Sequence, residues 1–330
     1  PVDWAPFSMF GMDAGAFPGS EPESRALLDA VAARPHIAAA VSNHTYTGCV
    51  LTAPGRKDTP LSGGDIARMY RLAQDLVAGT GYRVFRVHPE FMYDPDKPII
   101  GTWDDTLSVV FGICAFTLEL WDPFAWAGLP PADPVAMFRD PDQGRVRAVI
   151  DRAVADGAYA PWRPFQHPQL GEVELGGIDY ARTVRNPPEA LLPAECDRGF
   201  AVADRLRRAL PDVRVSVSTE PAGEGTTRVR VVLENVGALP TCGLDRAEEI
   251  GACPSVHAEL VGAEIVHGEP VQRLPHLDGW LRMGFDRNPV YPSLGARGHR
   301  TTASWVVRGD GGGARVRWWA GRGGCGESGV

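Results

Sequence analysis

The sequence predicts an α/β domain over residues 1–210, followed by an all-β sandwich over residues 211–330. In the first part, helical periods alternate with apolar runs, a pattern typical of helices packed on both faces of a sheet. After Pro211 the chain changes to short alternating runs separated by Gly- and Pro-rich turns, which is typical of a sandwich. A chain of 330 residues with 44% hydrophobic content can bury two such cores.

Each element of the α/β part has a local signal. Helices are predicted at about 21–33, at about 65–77, at LSVVFG, at DQGRVRAVIDRAVADG and at about 192–209. For the first of them, Ser20 and Glu23 form a capping box that predicts the start. Strands are predicted at IAAAVS, YRVFRV and ICAFTLELW. The stretch WRPFQHPQLGEVELGG, rich in Pro and Gly, is predicted to be an extended loop or a hairpin.

The β part is predicted from alternation of apolar and polar residues. Its strands are expected at VRVSVST, TTRVRVVLEN, VHAEL, AEIVHG, TTASWVVRG and ARVRWWAG. The final GRGGCGESGV has no such alternation, so we expect no strand there and a frayed end.

Composition excludes several classes of partner. The net charge of −8 and the lack of a basic run argue against a nucleic-acid or anionic-membrane partner. No apolar run reaches the roughly 18 residues of a membrane-spanning helix. The six cysteines show no C-x-x-C spacing, which argues against a zinc knuckle or a dense disulfide framework. Composition predicts neither the localisation nor the oligomeric state.

Two residues near predicted strand ends are candidates for chemistry. Glu119 lies inside the apolar run FGICAFTLELWD, and a carboxylate in such surroundings is either paired with a polar group or used as a general acid/base. His44 follows the run AAAVSN, at the strand end where α/β sheets bind ligands. It is either a turn histidine or a metal ligand or general base. Asp104 and Asp105 could form a glycosidase-like set with Glu119, or cap a helix.

Several segments together resemble a known family. SEPESRALL, a strand ending in NHTYTG, GTWDD and FGICAFTLELWD resemble the carboxypeptidase A-like zinc metallopeptidases. WRPFQHPQLGEVELGG, RNPPEALLP and LENVGALPTCGL extend the resemblance to a bacterial subgroup and over nearly the whole chain. The resemblance implies a partial carboxypeptidase-like α/β/α catalytic domain with a mixed sheet, ahead of the β sandwich.

The same resemblance implies roles for individual residues. His44 would be the third ligand of a single Zn²⁺ ion, and Glu119 the catalytic glutamate. Tyr93, in FMYDPDKP, would be the mobile tyrosine that covers the substrate, and Thr45 and Tyr46 would line the substrate site. The substrate would be a peptide, cleaved at or near its C-terminus.

One part of the family pattern is missing. The family takes its other two zinc ligands from an H-x-x-E motif, and none of the eight histidines has Glu three residues later. The family's N-R pair, whose Arg holds the substrate carboxylate, is also expected upstream of Pro1. We therefore expect a fragment whose N-terminal part is missing, and little activity from residues 1–330 alone.

Two other classes of function stay open. The first is a non-catalytic protein with a decayed site, whose β domain binds peptide or glycan. The second is a glycoside hydrolase that uses carboxylates, which would keep its activity in the presence of a metal chelator.

Overall fold

The structure, a computed structural model, describes residues 15–94, 98–281 and 298–330. Residues 1–14 of the predicted first domain lie outside this description. The helices are α1 Pro22–Ala32, α2 Gly63–Leu76, α3 Val87–Glu90, α4 Trp103–Phe111, α5 Pro123–Trp126, α6 Pro134–Arg139, α7 Gln143–Ala155, α8 Leu192–Arg208 and α9 Asp245–Glu249. The first strands are β1 Ala39–Thr45, β2 Cys49–Thr52, β3 Arg83–Arg86, β4 Cys114–Leu120, β5 Tyr159–His167 and β6 Gly171–Ile178. The later strands are β7 Val213–Gly223, β8 Thr226–Asn235, β9 Val256–Val261, β10 Ile265–His267, β11 Val271–Leu274, β12 Arg300–Arg308, β13 Arg315–Ala320 and β14 Cys325–Gly329.

The α/β part is built on a four-stranded mixed sheet in the order β1-β4-β2-β3. β1 runs parallel to β4, β4 runs antiparallel to β2, and β2 runs parallel to β3. Because β1 and β4 are parallel and in register, their carboxyl ends meet at the same edge of the sheet. This edge carries the candidate site.

Helices cover both faces of this sheet, as the sequence predicts. On one face, Phe116 and Leu118 of β4 pack with Met69 of α2 and Val202 of α8. On the other face, Ala115 packs in a smaller cluster with α1 and α4. Side chains alternate between the two faces along a strand, and Glu119 lies four residues after Ala115. Glu119 therefore points to the same face as Ala115, the face that α4 covers. Outside the sheet, β5 and β6 form the predicted hairpin.

The C-terminal part has two four-stranded sheets, in the orders β10-β12-β8-β7 and β11-β9-β13-β14. Apolar side chains of both sheets form one hydrophobic core, with the fully buried Trp305 of β12 among the largest. Every predicted strand of this part is present. The predicted boundary at residues 210–212 falls in the short connection between α8 and β7.

Two local predictions are wrong. α1 begins at Pro22 with Glu21 as its N-cap, and the Ser20 hydroxyl donates to the Glu21 carboxylate instead of capping the helix. Proline has no N–H and fits the first helical position, which explains this start. The chain end is not frayed, because β14 pairs antiparallel with β13 over residues 325–329. Gly326 has no side chain and leaves room for the Trp318 ring, so packing and pairing decide this strand where its own pattern does not.

The two parts meet along a seam of buried polar contacts. The Asp65 carboxylate of α2 is fully buried and accepts the backbone N–H groups of Asp245 and Arg246 at 2.9 and 3.0 Å. Arg322, after β13, is also buried and donates to backbone carbonyls across the seam. Leu239 and Leu244 join the core of the α/β part. In the described ranges, no helix is both long and apolar enough to cross a membrane.

Candidate active site

The strand register brings His44 and Glu119 together. They are paired positions on the parallel strands β1 and β4, near the carboxyl ends of both. The Nδ1 atom of His44 lies 3.0 Å from Oε1 of Glu119. The His44 side chain is 59% exposed and that of Glu119 only 5%, so the imidazole covers the carboxylate from the solvent side.

Glu119 is buried on a mostly apolar strand. On its other side β2 places Cys49 opposite it, and that thiol is fully buried. Oε2 of Glu119 is buried and has no hydrogen-bond partner among the described residues. A buried carboxylate oxygen without a partner costs free energy, so such an atom in a native site calls for an explanation. It is available to accept a proton or to bind a ligand.

Glu119 also sets the charge state of His44. The hydrogen bond with Glu119 is the largest cause that raises the pKa of His44 above its usual 6.5. Burial of the imidazole and the positive charge of Arg185 oppose this effect. The pair therefore favours the protonated form of His44 more than a free imidazole would, when no metal is bound.

We expect the metal-free protein to show a His44 pKa above 6.5 by NMR titration. Because the pKa in the folded state is raised, the contribution of His44 to stability is fully present below pH 6.5 and is lost as the pH rises through the folded-state pKa. Glu119→Gln removes the carboxylate whose hydrogen bond raises the pKa of His44 most. Burial and the charge of Arg185, which lower that pKa, remain, so the pKa of His44 should fall. Glu174→Gln, on the exposed hairpin strand β6, is the matched control and should leave it unchanged. An unchanged His44 titration in Glu119→Gln would contradict the pairing.

Two tyrosines line the same site. Tyr93 packs in a cluster with Cys49 and Phe91, and its ring contacts that of Phe91 edge-on at 6.2 Å between centroids. Burial, followed by the charge of Glu119, raises the pKa of Tyr93, which places it within electrostatic reach of the carboxylate. Tyr46 is half-buried beside Trp121, and burial is again the main cause that raises its pKa. Two of the three predicted substrate residues, Tyr46 and Tyr93, are therefore near Glu119.

Thr45 faces a different space. Neighbouring residues of a strand point to opposite faces, so Thr45 points away from the side chain of His44. It lines a cavity of about 270 Å³ together with Asn43, Leu120 and Trp121. The predicted role of Thr45 beside the substrate stays a prediction. Its side chain lies on the opposite face of β1 from the side chain of His44.

The chain bends sharply just after Glu119. Trp121 has a φ of 72°, a left-handed conformation that is unfavourable for a bulky residue. Its backbone N–H donates to the Tyr82 hydroxyl and its indole N–H to the Thr183 carbonyl, each at 3.0 Å. Strained backbone of this kind concentrates at functional sites, where the surrounding structure holds it.

The aspartates of GTWDD have a structural environment. Asp104 and Asp105 lie in the first turn of α4 and are both buried. One oxygen of Asp104 accepts the hydroxyls of Thr102 and Thr117, at 2.9 and 3.1 Å. Burial is the main cause that raises the pKa of Asp104. These contacts favour the helix-terminus role over the glycosidase-like one.

Sequence reasoning missed Arg185. Its charge acts on His44, Tyr46 and Tyr93 alike, and it is exposed to solvent. Its backbone N–H donates to the Tyr180 carbonyl at 3.0 Å, while the Tyr180 side chain is hydrogen-bonded to Tyr46. Arg185 begins RNPPEALLP, a segment that carries part of the family resemblance. It could have been found by asking which cation would balance a buried glutamate.

The residues present fit one part of a zinc site. The imidazole nitrogen of His44 is a suitable zinc ligand, and the unpartnered Oε2 of Glu119 leaves a proton acceptor beside it. A catalytic zinc site takes three protein ligands, however, and the described residues contain no group of three His, Cys, Asp or Glu side chains that could hold a metal. The described part of the chain therefore does not form a complete zinc site.

Comparison with known proteins adds one finding. Residues 213–330 match a domain of unknown function, DUF8731. The match begins at the first residue of β7 and runs to the chain end, so it coincides with the two-sheet part and covers less than half of the chain. No curated protein matches the chain.

Proposed function

We propose that this chain carries the proton-transfer residue and one metal ligand of a zinc-dependent peptidase that acts at or near the C-terminus of peptides. The observation that carries the proposal is the His44–Glu119 pair, at 3.0 Å on adjoining parallel strand ends. The mixed sheet with helices on both faces supports the partial carboxypeptidase-like fold that belongs to this proposal.

Glu119 is suited to moving a proton. Its Oε2 atom is buried and unpartnered among the described residues, so it can take a proton from a water held beside it. It can then deliver that proton to the nitrogen of the leaving amine. A bound zinc ion would supply a polarised substrate carbonyl and a more acidic water.

His44 has two competing uses for one atom. Its Nδ1 shares a proton with Glu119 in the metal-free protein, and the same lone pair would bind a metal ion. Metal binding must therefore release the proton, because only neutral imidazole is a ligand. Once Nδ1 binds a metal ion, its contact with Glu119 would be lost. Oε1 of Glu119 would then be free to approach the reacting water.

The surroundings of the pair suit a peptide end. Tyr46 and Tyr93 supply apolar ring surface with polar hydroxyls. Arg185 adds an exposed positive charge near both rings, which favours a substrate with a carboxylate. A peptide's C-terminal residue combines these chemical features.

The decisive test is peptide hydrolysis by protein expressed from its complete gene. We expect release of C-terminal residues that stops with a chelator and returns with added zinc. Activity that survives the chelator, on glycosides instead of peptides, would favour the carboxylate glycoside hydrolase.

Zinc titration by calorimetry tests the metal part on residues 1–330 themselves. With His44 as the one predicted ligand, we expect weak binding that becomes weaker still in His44→Ala. His267→Ala, which removes an exposed imidazole from β10, is the matched control. Tight one-to-one zinc binding by residues 1–330 would contradict the proposal that the other ligands are absent from them.

A non-catalytic peptide-binding protein is the second candidate. The exposed charge of Arg185 and the rings of Tyr46 and Tyr93 would serve carboxylate binding without hydrolysis equally well. It predicts that protein from the complete gene binds peptides with a free C-terminus without hydrolysing them, in zinc or in chelator.

A further inference from the structure

A second cluster of reactive side chains lies outside the candidate active site, in the C-terminal part. The Sγ atom of Cys253 lies 3.5 Å from Nε2 of His276. The other ring nitrogen of His276, Nδ1, lies 3.1 Å from the Thr241 hydroxyl. Sulfur, imidazole and hydroxyl thus form a chain of three groups. A nucleophile, a base and a group that orients the base are arranged in this way in enzymes with activated nucleophiles.

The hydrogen bonds of Thr241 indicate where the imidazole proton lies. The Thr241 oxygen accepts the Leu277 backbone N–H at 2.8 Å. Its own proton is best donated to His276, since the alternative acceptor, the Leu277 carbonyl, is at 3.5 Å and already accepts the Thr241 backbone N–H. Nδ1 is then an acceptor, so the proton of neutral His276 lies on Nε2 and points at the sulfur. This tautomer donates to a thiolate.

A buried cation lies within electrostatic reach of Cys253. The Nη2 atom of Arg322 donates to the carbonyl of Ala252, the residue before Cys253, at 3.3 Å. Arginine stays protonated in proteins, so this charge is always present. A thiol between a donating imidazole and a cation loses its proton more easily than a free thiol. His276 is buried, while Cys253 is partly exposed, so the sulfur can be reached by a small molecule.

The other cysteines are in different environments. Cys49, Cys114 and Cys242 are buried, and burial raises the pKa of the Cys114 thiol to about 12. Cys196 and Cys325 are exposed. The arrangement at Cys253 is therefore distinct both from the buried thiols, which are protected, and from the exposed ones.

We propose that Cys253 is a reactive thiolate that exchanges with small disulfides. The Cys253 sulfur attacks one sulfur of the disulfide, an S–S bond forms to Cys253, and the second sulfur leaves as a thiolate. The disulfide is the oxidant, so the step needs no other reagent. His276 and Thr241 act as positioning residues that hold the Nε2 proton toward the sulfur. The site does not depend on the proposed peptidase function.

The test uses the full chain with Cys196→Ser and Cys325→Ser, which leaves Cys253 as the one thiol that is not buried. The probe is the neutral disulfide dithiodipyridine in excess at pH 7, and the absorbance of the released thiopyridone gives the rate. We expect one fast equivalent, with a rate constant roughly threefold or more above that of glutathione, because a larger thiolate fraction outweighs its lower nucleophilicity. Peptide mass mapping should place the adduct on Cys253.

Variants of the positioning residues separate activation from simple exposure. His276→Gln removes the ring donor, and Thr241→Val removes the hydroxyl, so both should slow the reaction to the glutathione rate or below it. Thr241→Ser keeps the hydroxyl and should retain the fast rate. The comparison of Thr241→Val with Thr241→Ser therefore tests the proposal even if His276→Gln does not fold. A Cys253 rate below that of glutathione in the parent protein, or equal rates in Thr241→Val and Thr241→Ser, would overturn the proposal.

Discussion

Replacing Glu119 with glutamine is expected to lower the turnover number for peptide hydrolysis by about 10²–10⁴-fold, the usual contribution of a positioned general acid/base. The measurement is steady-state hydrolysis by protein from the complete gene, at saturating zinc. Glutamine has the same shape as glutamate and fills the same buried space. The change therefore removes the proton acceptor while keeping the packing of β4.

The physical reason lies in the environment of the carboxylate. Glu119 is 4% exposed, and its Oε1 atom lies 3.0 Å from Nδ1 of His44. A water molecule that loses its proton beside His44 thus has Glu119 as its nearest acceptor. Because the amide of glutamine cannot accept that proton, the loss should appear in kcat and only weakly in KM.

Two further variants make this prediction specific. Glu174→Gln makes the same chemical change on the exposed strand β6 and should keep full activity. Glu119→Asp keeps a carboxylate that is one methylene shorter, so we expect an activity between those of the wild type and Glu119→Gln. Retention of more than about a tenth of the activity in Glu119→Gln would exclude a general acid/base role.

Local patterns were sufficient to predict β1 and β4 of the candidate site, but not β2, which places Cys49 opposite Glu119. The apolar run around Glu119 predicted a buried strand, and the run before His44 predicted its neighbour. The contact between the two residues needed the register of β1 on β4, which no local pattern specifies. Arg185 was missed for a related reason, since a loop far along the chain brings it to the site.

The seam between the two parts was not predicted either. The Asp65 carboxylate looks like an ordinary acidic residue in the first turn of α2, yet it accepts N–H groups from α9. Arg322 lies in the Gly-rich stretch GRGGCGESGV, which lacks any apolar period. Single polar residues that bind distant backbone leave no periodic trace, so only the three-dimensional structure identifies them.

Arg322→Met is expected to destabilise the whole chain by about 1.5–3 kcal/mol, the usual contribution of hydrogen bonds to a charged group. The guanidinium is 6% exposed and donates to the carbonyls of Pro35, Phe111 and Gly112 in the α/β part, at 2.5–3.2 Å. Methionine fills a similar volume but donates nothing. The carbonyls of Pro35 and Phe111 would lose this charged donor, and that of Gly112 would keep the Leu244 N–H at 3.2 Å.

Urea unfolding followed by far-UV circular dichroism measures this effect, and the matched control is Arg308→Met. Arg308 pairs with Glu264 on the surface of the β part, with both side chains 65% exposed, so solvent screening should leave its loss with little effect on stability. Because Arg322 joins the two parts, its loss should also lower the cooperativity between them. If Arg322→Met and Arg308→Met unfolded at the same urea concentration, the contacts of Arg322 across the seam would contribute little to the stability of the protein.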